Sequence, residues 1–226
     1  MSVTLVMSGK KSVFENTYTP PIILDTSKKN HFIGLVDFVT YNSIPNINKT
    51  AQCFYYDSDK VLTIPTGAYE IEGIEKFLKE KLGENNISIK ANSSTLKCEI
   101  KSCYEIDFTK PHSIGGILGF SANVLKENVW HESDLPINIF PVNMIFIECN
   151  VAIGSYVNGE QAHTIFTFSP NVSPGFKMVM SPSTVIYCPI YSPIIENLSI
   201  NIVDQSGNLV DFGGEEVSLR LHIKSE

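Results

Sequence analysis

The sequence predicts an all-β protein: an antiparallel β-sandwich of the single jelly-roll type, with one short covering helix and an extra hairpin. Three observations carry this. Short runs rich in Val, Ile, Thr, Phe and Tyr recur along the chain, roughly 8–12 residues apart, with Gly, Pro, Asn and Ser between them. Only one segment has convincing helical periodicity. Close to the end, Ser218-Leu-Arg-Leu-His-Ile223 alternates apolar Leu219, Leu221 and Ile223 with polar Ser218, Arg220 and His222, the pattern of a strand with one wet face.

Taken in order, residues 1–30 read as an N-terminal arm. They are largely polar, carry Lys10, Lys11, Lys28 and Lys29, and contain Pro20-Pro21, which favours extended geometry without ladder donors. The jelly-roll domain is expected over 31–226. It opens with a strand from His31 that ends at the breaker Asn42-Ser43-Ile44-Pro45, and continues with short strands at 52–57 and 60–65 that turn at Ser58-Asp59. The helix falls near 67–82. Ile71, Ile74, Phe77, Leu78 and Leu82 recur at steps of three and four, with Thr66 as N-cap, acidic residues early, Lys79 and Lys81 late, and Gly83 as the stop. Strands at 87–91, 96–100 and 104–108 follow at hairpin spacing, then one helical turn over 113–120. Residues 121–141 read as a long polar connection holding the single tryptophan, Trp130. Beyond it, strands are expected at 142–153, 164–168, 176–180, 184–190, 198–204, 208–212 and 217–223, with turns at Asn158-Gly159, Pro174-Gly175, Ser181-Pro182, Gln205-Ser206-Gly207 and Gly213-Gly214.

The 226 residues are 43% hydrophobic, enough for a substantial core, and only 18% charged, with a formal net charge of −7. That balance argues against direct nucleic-acid binding, which needs excess positive charge to displace counterions from phosphate. Arg220 is the only arginine. No apolar run approaches 18 residues, so no membrane span is expected, and Met1–Val13 lacks a signal-peptide pattern, so secretion by that route is not expected. The five cysteines, Cys53, Cys98, Cys103, Cys149 and Cys188, form no CxxC pair and read as reduced structural thiols. Sequons at Asn48, Asn86, Asn92, Asn171 and Asn197 follow from an asparagine-rich composition and carry no argument for secretion.

Catalytic and metal chemistry find no foothold. His31, His112, His131, His163 and His222 include no HxH pair, and His131-Glu132 begins an HExxH motif that fails at Leu135. The nucleophile motif GxSxG is absent. Asp204, Asp211, Glu215 and Glu216 cluster near the last turns without the order of a calcium loop, and turn chemistry accounts for them. The glycines of 113–120 lack phosphate-loop spacing. No catalytic, cofactor-binding or metal residue is assigned, no cofactor is expected, and the chain is not expected to be an enzyme. An apolar, β-rich chain poor in charge and without a polar constellation points instead to self-assembly.

Five segments add a resemblance: IPTGAYEIEGIEKFL (64–78), IGGILGF (114–120), NMIFIECNVAIGSYVNG (143–159), HTIFTFSPNVSPGFK (163–177) and VDQSGNLVDFGGEEVSLRLHIK (203–224). Together they resemble the minor capsid, or penton, proteins of Polinton/Maverick elements and adintoviruses, over roughly residues 60–226. The resemblance implies a single jelly roll that forms homopentamers at the vertices of an icosahedral capsid, beside a double-jelly-roll major capsid protein, in virions assembled inside the host cell. It brings no catalytic residue with it and does not extend to the first 60 residues. Subunit contacts are expected among the connections 121–141 and 191–196. The competing reading is a trimeric jelly-roll module binding a ligand or carbohydrate; a cupin-like enzyme is disfavoured by the missing HxH.

Overall fold

The computed structural model describes residues 2–226. In chain order its strands are β1 (Ser2–Gly9), β2 (Val13–Ile23), β3 (His31–Tyr41), β4 (Cys53–Tyr56), β5 (Lys60–Thr63), β6 (Ile87–Ala91), β7 (Lys97–Ser102), β8 (Ile106–Asp107), β9 (Val124–Leu125), β10 (His131–Pro136), β11 (Ile145–Cys149), β12 (Ser155–Val157), β13 (Glu160–Ala162), β14 (Thr164–Phe168), β15 (Lys177–Met180), β16 (Cys188–Pro189), β17 (Ile194–Asp204) and β18 (Val217–Ser225). One helix, α1 (Ile71–Leu82), lies between β5 and β6, and a 3₁₀ turn spans Ile114–Gly116. The chain divides into two compact units, residues 2–44 with 142–226, and Pro45–Pro141.

The first unit is a jelly roll. One sheet runs β1-β18-β3-β15, with β16 also beside β3, and the other runs β14-β11-β17-β2. Counting only these eight main strands in chain order, the sheets read 1-8-3-6 and 5-4-7-2, the two interlocked Greek keys of this architecture, and every pairing is antiparallel. Alternation builds the core. Val217, Leu219, Leu221 and Ile223 of β18 point inward, as their spacing predicts, and meet Ile145 and Ile147 of β11 and Ile200 and Ile202 of β17, all buried. Phe38 is wholly buried against the rings of Phe168 and Phe212, at 5.0 and 6.1 Å between centroids.

The second unit has its own core. A three-stranded sheet, β10-β7-β6, and a four-stranded sheet, β5-β4-β8-β9, enclose Phe54, Ile64, Ile100, Ile106 and Ile114. The helix contributes Ile71, Ile74, Leu78 and Leu82, the stripe read from the sequence, and it stops at Gly83, whose φ of +107° suits glycine and whose N–H donates to the Lys79 carbonyl at 2.8 Å.

Several expectations change. Residues 1–30 are not an arm: β1 pairs with β18 over all eight residues, and β2 pairs with β17. Pro20 and Pro21 are tolerated because β2 is an edge strand, whose outer side needs no donors. The region 31–226 is not one continuous domain, because Pro45–Pro141 is a separate unit inserted between the third and fourth jelly-roll strands. The helix begins at Ile71 rather than near 67. Its N-cap is Glu70, without a side-chain cap bond, so Thr66 does not serve. Residues 121–141 are no featureless connection, since they contain β9 and β10, whose Ser133 hydroxyl accepts the Cys98 N–H at 3.0 Å. The buried run 142–153 is a strand only over β11, and 208–212 forms a single bridge, Val203 to Leu209, rather than a strand.

Candidate assembly surface

Four of the five histidine rings, and Asp204 and Asp211 of the acidic cluster, are engaged in local structure. His31 Nδ1 lies 2.9 Å from the Ser225 hydroxyl, His131 Nε2 2.9 Å from the Lys126 carbonyl, and His163 Nδ1 2.6 Å from the Ala152 carbonyl. His222 sits between two hydroxyls, Ser2 at 2.6 Å and Tyr187 at 2.8 Å. His112 takes a positive φ of 57° at the turn whose carbonyl accepts the N–H groups of Gln52 and Cys53. The acidic cluster resolves into turn chemistry. Asp204 accepts the N–H groups of Ser206 and Asn208, and Asp211 accepts that of Gly213. No group of three or more His, Cys, Asp or Glu side chains is disposed to hold a metal among the described residues. All five cysteines are free. Burial pushes the Cys98 thiol up to about 12 and the Cys149 thiol up to about 11, so both stay protonated and unreactive at neutral pH.

What the jelly roll does present is strand edges. Each of its sheets ends in two edge strands, and unpaired N–H and C=O groups there invite another strand unless something blunts them. Two edges are blunted. The edge strand β2 carries Glu15 and Pro20-Pro21, while β15 is only four residues long and begins with Lys177. The other two are bare: Ser2–Gly9 of β1 and Thr164–Phe168 of β14 contain neither a charge nor a proline. Along β1, Met7 is buried and Val3 and Leu5 are half-buried, while Ser2, Thr4, Val6 and Ser8 face out, with Val6 68% exposed.

Beside β14 runs a groove of about 590 Å³. Thr164–Thr167 of β14 line it, with Phe146 of β11, the β12–β13 hairpin at Tyr156, and the segment from Ile186 to Pro189. Across from β14, β15 pairs with β3 over 38–41 and β16 over 32–33. Between them the chain crosses over Gly34, where a Cβ would sit 2.6 Å from the Ile186 carbonyl oxygen. The β12–β13 hairpin turns through Asn158 and Gly159, both at positive φ as a two-residue hairpin requires. None of the fifteen lining residues is charged. Thr164 is 8% exposed, and its hydroxyl has no hydrogen-bond partner.

The sequence located none of this surface in advance. The connections expected to carry contacts lie elsewhere: 121–141 belongs to the inserted unit, and 191–196 leads into β17. A usable signal existed in the contrast between Ser2–Gly9, eight residues without a charge, and the Lys10-Lys11 that follows.

No protein-family model matches the sequence, and no curated protein matches it. Among solved structures, the crystal structure of selenomethionine-labelled mavirus penton protein superposes with a TM-score of 0.55 at 12% sequence identity, covering 100% of each chain. This chain and the mavirus penton protein therefore share one fold across their full lengths.

Proposed function

We propose that this protein is a structural virion protein, the penton subunit at the vertices of an icosahedral capsid, acting as a homopentamer beside a double-jelly-roll major capsid protein and without catalytic activity. The observation that carries this reading is the likeness to a penton protein over the whole of both chains, inserted unit included. Supporting it are the eight-stranded jelly roll, the engagement of four of the five histidine rings and of Asp204 and Asp211 in local structure, and sheet edges left open to a neighbour. Closed shells are built from repeated wedge-like subunits whose mutual contacts close on themselves rather than extend indefinitely. A chain with bare edges on a rigid sandwich suits that task. The acidic balance suits a vertex subunit better than a lining that faces nucleic acid.

Native mass measurement of the purified protein tests the proposal. Five chains of 25.1 kDa give about 125 kDa. Co-expression with the neighbouring major capsid protein, followed by electron microscopy, should place density for this chain at five-fold vertices. A stable trimer that binds glycans, with no incorporation into shells, would support the ligand-binding reading instead.

A further inference from the structure

We infer that copies of this chain join head to tail through the two bare edges of the jelly roll: the outer edge of β1 on one copy lies in the neutral groove beside β14 on the next. The inference deepens the vertex reading by naming the contact, and it rests on that reading only for the number of copies in the ring.

Three observations converge. The first is position. In the sheet β1-β18-β3-β15, β1 and β15 are opposite edges, and in the sheet β14-β11-β17-β2, β14 and β2 are opposite edges. β1 touches β2 on one flank, while β14 packs against β3 on the other. The unblunted edges therefore lie on opposite flanks. A contact between unlike surfaces on opposite flanks repeats from copy to copy and closes into a ring when the rotation allows. Self-pairing of β1 would stop at two copies and leave β14 bare.

The second observation is charge. In a chain that is 18% charged, the eight residues of β1 and the fifteen that line the groove include no Asp, Glu, Lys or Arg. Natural edges are kept apart by charges and prolines, and the other two edges of this sandwich carry them. Third, the backbone is available. All eight β1 residues pair with β18 in unbroken register, and no backbone hydrogen bond ties Ser2–Gly9 to any other segment among the described residues. One side of the strand thus offers free donors and acceptors. A second copy supplies what the groove lacks: an extended, neutral strand with alternate small outward side chains.

Two variants and their mixture test this. Thr4→Lys/Val6→Lys places two ammonium groups on a β1 that should be buried against neutral walls, a costly arrangement. Ile186→Lys puts a charge of the same sign on the groove wall, at a residue 62% exposed. All three positions are exposed, so each variant should keep the wild-type circular dichroism spectrum and melting temperature of the isolated chain. By native mass spectrometry and analytical ultracentrifugation, each variant alone should fall to the 25.1 kDa monomer under conditions where the wild type forms rings. Mixed, they should form a 1:1 heterodimer of about 50 kDa and nothing larger. The β1 variant keeps an intact groove and the groove variant an intact β1, so one good contact per pair survives, while the other sets ammonium against ammonium. Retention of the wild-type mass by either variant, failure of the mixture to pair, or a wild type that stays monomeric at its highest soluble concentration would overturn the proposed contact. The two readings fail separately. A pentamer indifferent to both variants removes this contact and keeps the vertex role. A ring of three dissolved by both variants keeps the contact and removes that role.

Discussion

The jelly roll and the unit inserted into it solve the same problem, burying a β-rich core, in opposite ways. Strands β2, β3, β17 and β18 of the jelly roll run 9 to 11 residues, and its core is dominated by aliphatic side chains from alternating positions. In the insert no strand exceeds six residues, and a helix and an aromatic cluster of Phe54, Tyr56, Tyr104, Phe108 and Phe120 do much of the packing. Their surfaces differ more. Lys79 with Glu75, Lys90 with Glu99, Lys97 with Glu132 and Lys110 with Asp59 all belong to the insert, whereas among the described residues the ion pairs of the jelly roll are Arg220 with Asp37 and Lys224 with Glu226. Exposed ion pairs add little stability, so their concentration in one unit says more about its surface than about its core. The jelly roll instead keeps two edges and a groove free of charge. One chain thus carries a unit rich in surface ion pairs and a unit with uncharged edges.

If the two cores are independent, a core truncation should wound only its own unit. Phe38→Ala removes a ring held between Phe168 and Phe212 and should cost the jelly roll about 3–5 kcal/mol. Phe54→Ala should cost the insert a similar amount, since Phe54 is equally buried among Tyr56 and Phe108. Hydrogen exchange followed by mass spectrometry checks this. Faster exchange in β11 and β17 but not in β6 and β7 is expected for Phe38→Ala, and the reverse for Phe54→Ala. Uniform loss of protection in both variants would show a single cooperative unit.

Backbone geometry gives a sharper probe of the insert alone. Gly119 has φ +81°, and a Cβ there would lie 2.2 Å from the Leu135 carbonyl oxygen. Gly119→Ala should therefore destabilise the insert by about 1–3 kcal/mol from the strained conformation alone, with the clash adding to it. Urea unfolding monitored through Trp130, which lies in this unit, reads the effect. An unchanged midpoint would mean that the loop moves aside without cost.

How much of this was legible in the sequence depended on whether the signal was local. The α1 stripe, the alternation of β18 and the Asn158-Gly159 hairpin turn are local, and the structure has them where the spacing puts them. Strand β1 does alternate, Val3, Leu5 and Met7 against Ser2, Thr4 and Ser8, but it sits in a stretch that Lys10-Lys11 and Pro20-Pro21 make read as an arm, and β2 was missed because Pro20-Pro21 reads as a breaker when only an edge position makes it harmless. The division into two units was missed because it is a matter of long-range pairing. Pro45 and Pro141 mark its two ends, but a proline alone does not tell a domain junction from a turn. The bare strand edges were invisible for the same reason: an edge exists only once the neighbours of every strand are known.

Two smaller effects test how the insert stabilises itself with polar groups. Ser133, 1% exposed, accepts the Cys98 N–H and donates to the Leu135 carbonyl at 2.7 Å. Ser133→Ala leaves both groups unsatisfied and should cost about 1–3 kcal/mol, measured as a lower urea midpoint with an unchanged slope.

The weakest expected effect is a pH dependence confined to the insert. Glu75 on α1 is partly buried, which by itself would raise its pKa, but the N–H of Ile89, the Lys79 ammonium and the Ser88 hydroxyl together hold the carboxyl below its ordinary value of 4.5. Because the folded pKa is the lower one, folding favours the ionised carboxylate. The stabilisation is fully present above pH 4.5 and is lost as the pH falls through the folded value. Glu75→Gln keeps a hydrogen-bond acceptor for Ile89 but not the charge. The variant should be somewhat less stable than the wild type at pH 7 and should converge with it as the pH drops toward 3. Thermal melts across that range decide the matter. Parallel curves for variant and wild type would show that the helix-to-hairpin contact is a matter of packing, and that ionised groups in the insert serve solvation alone.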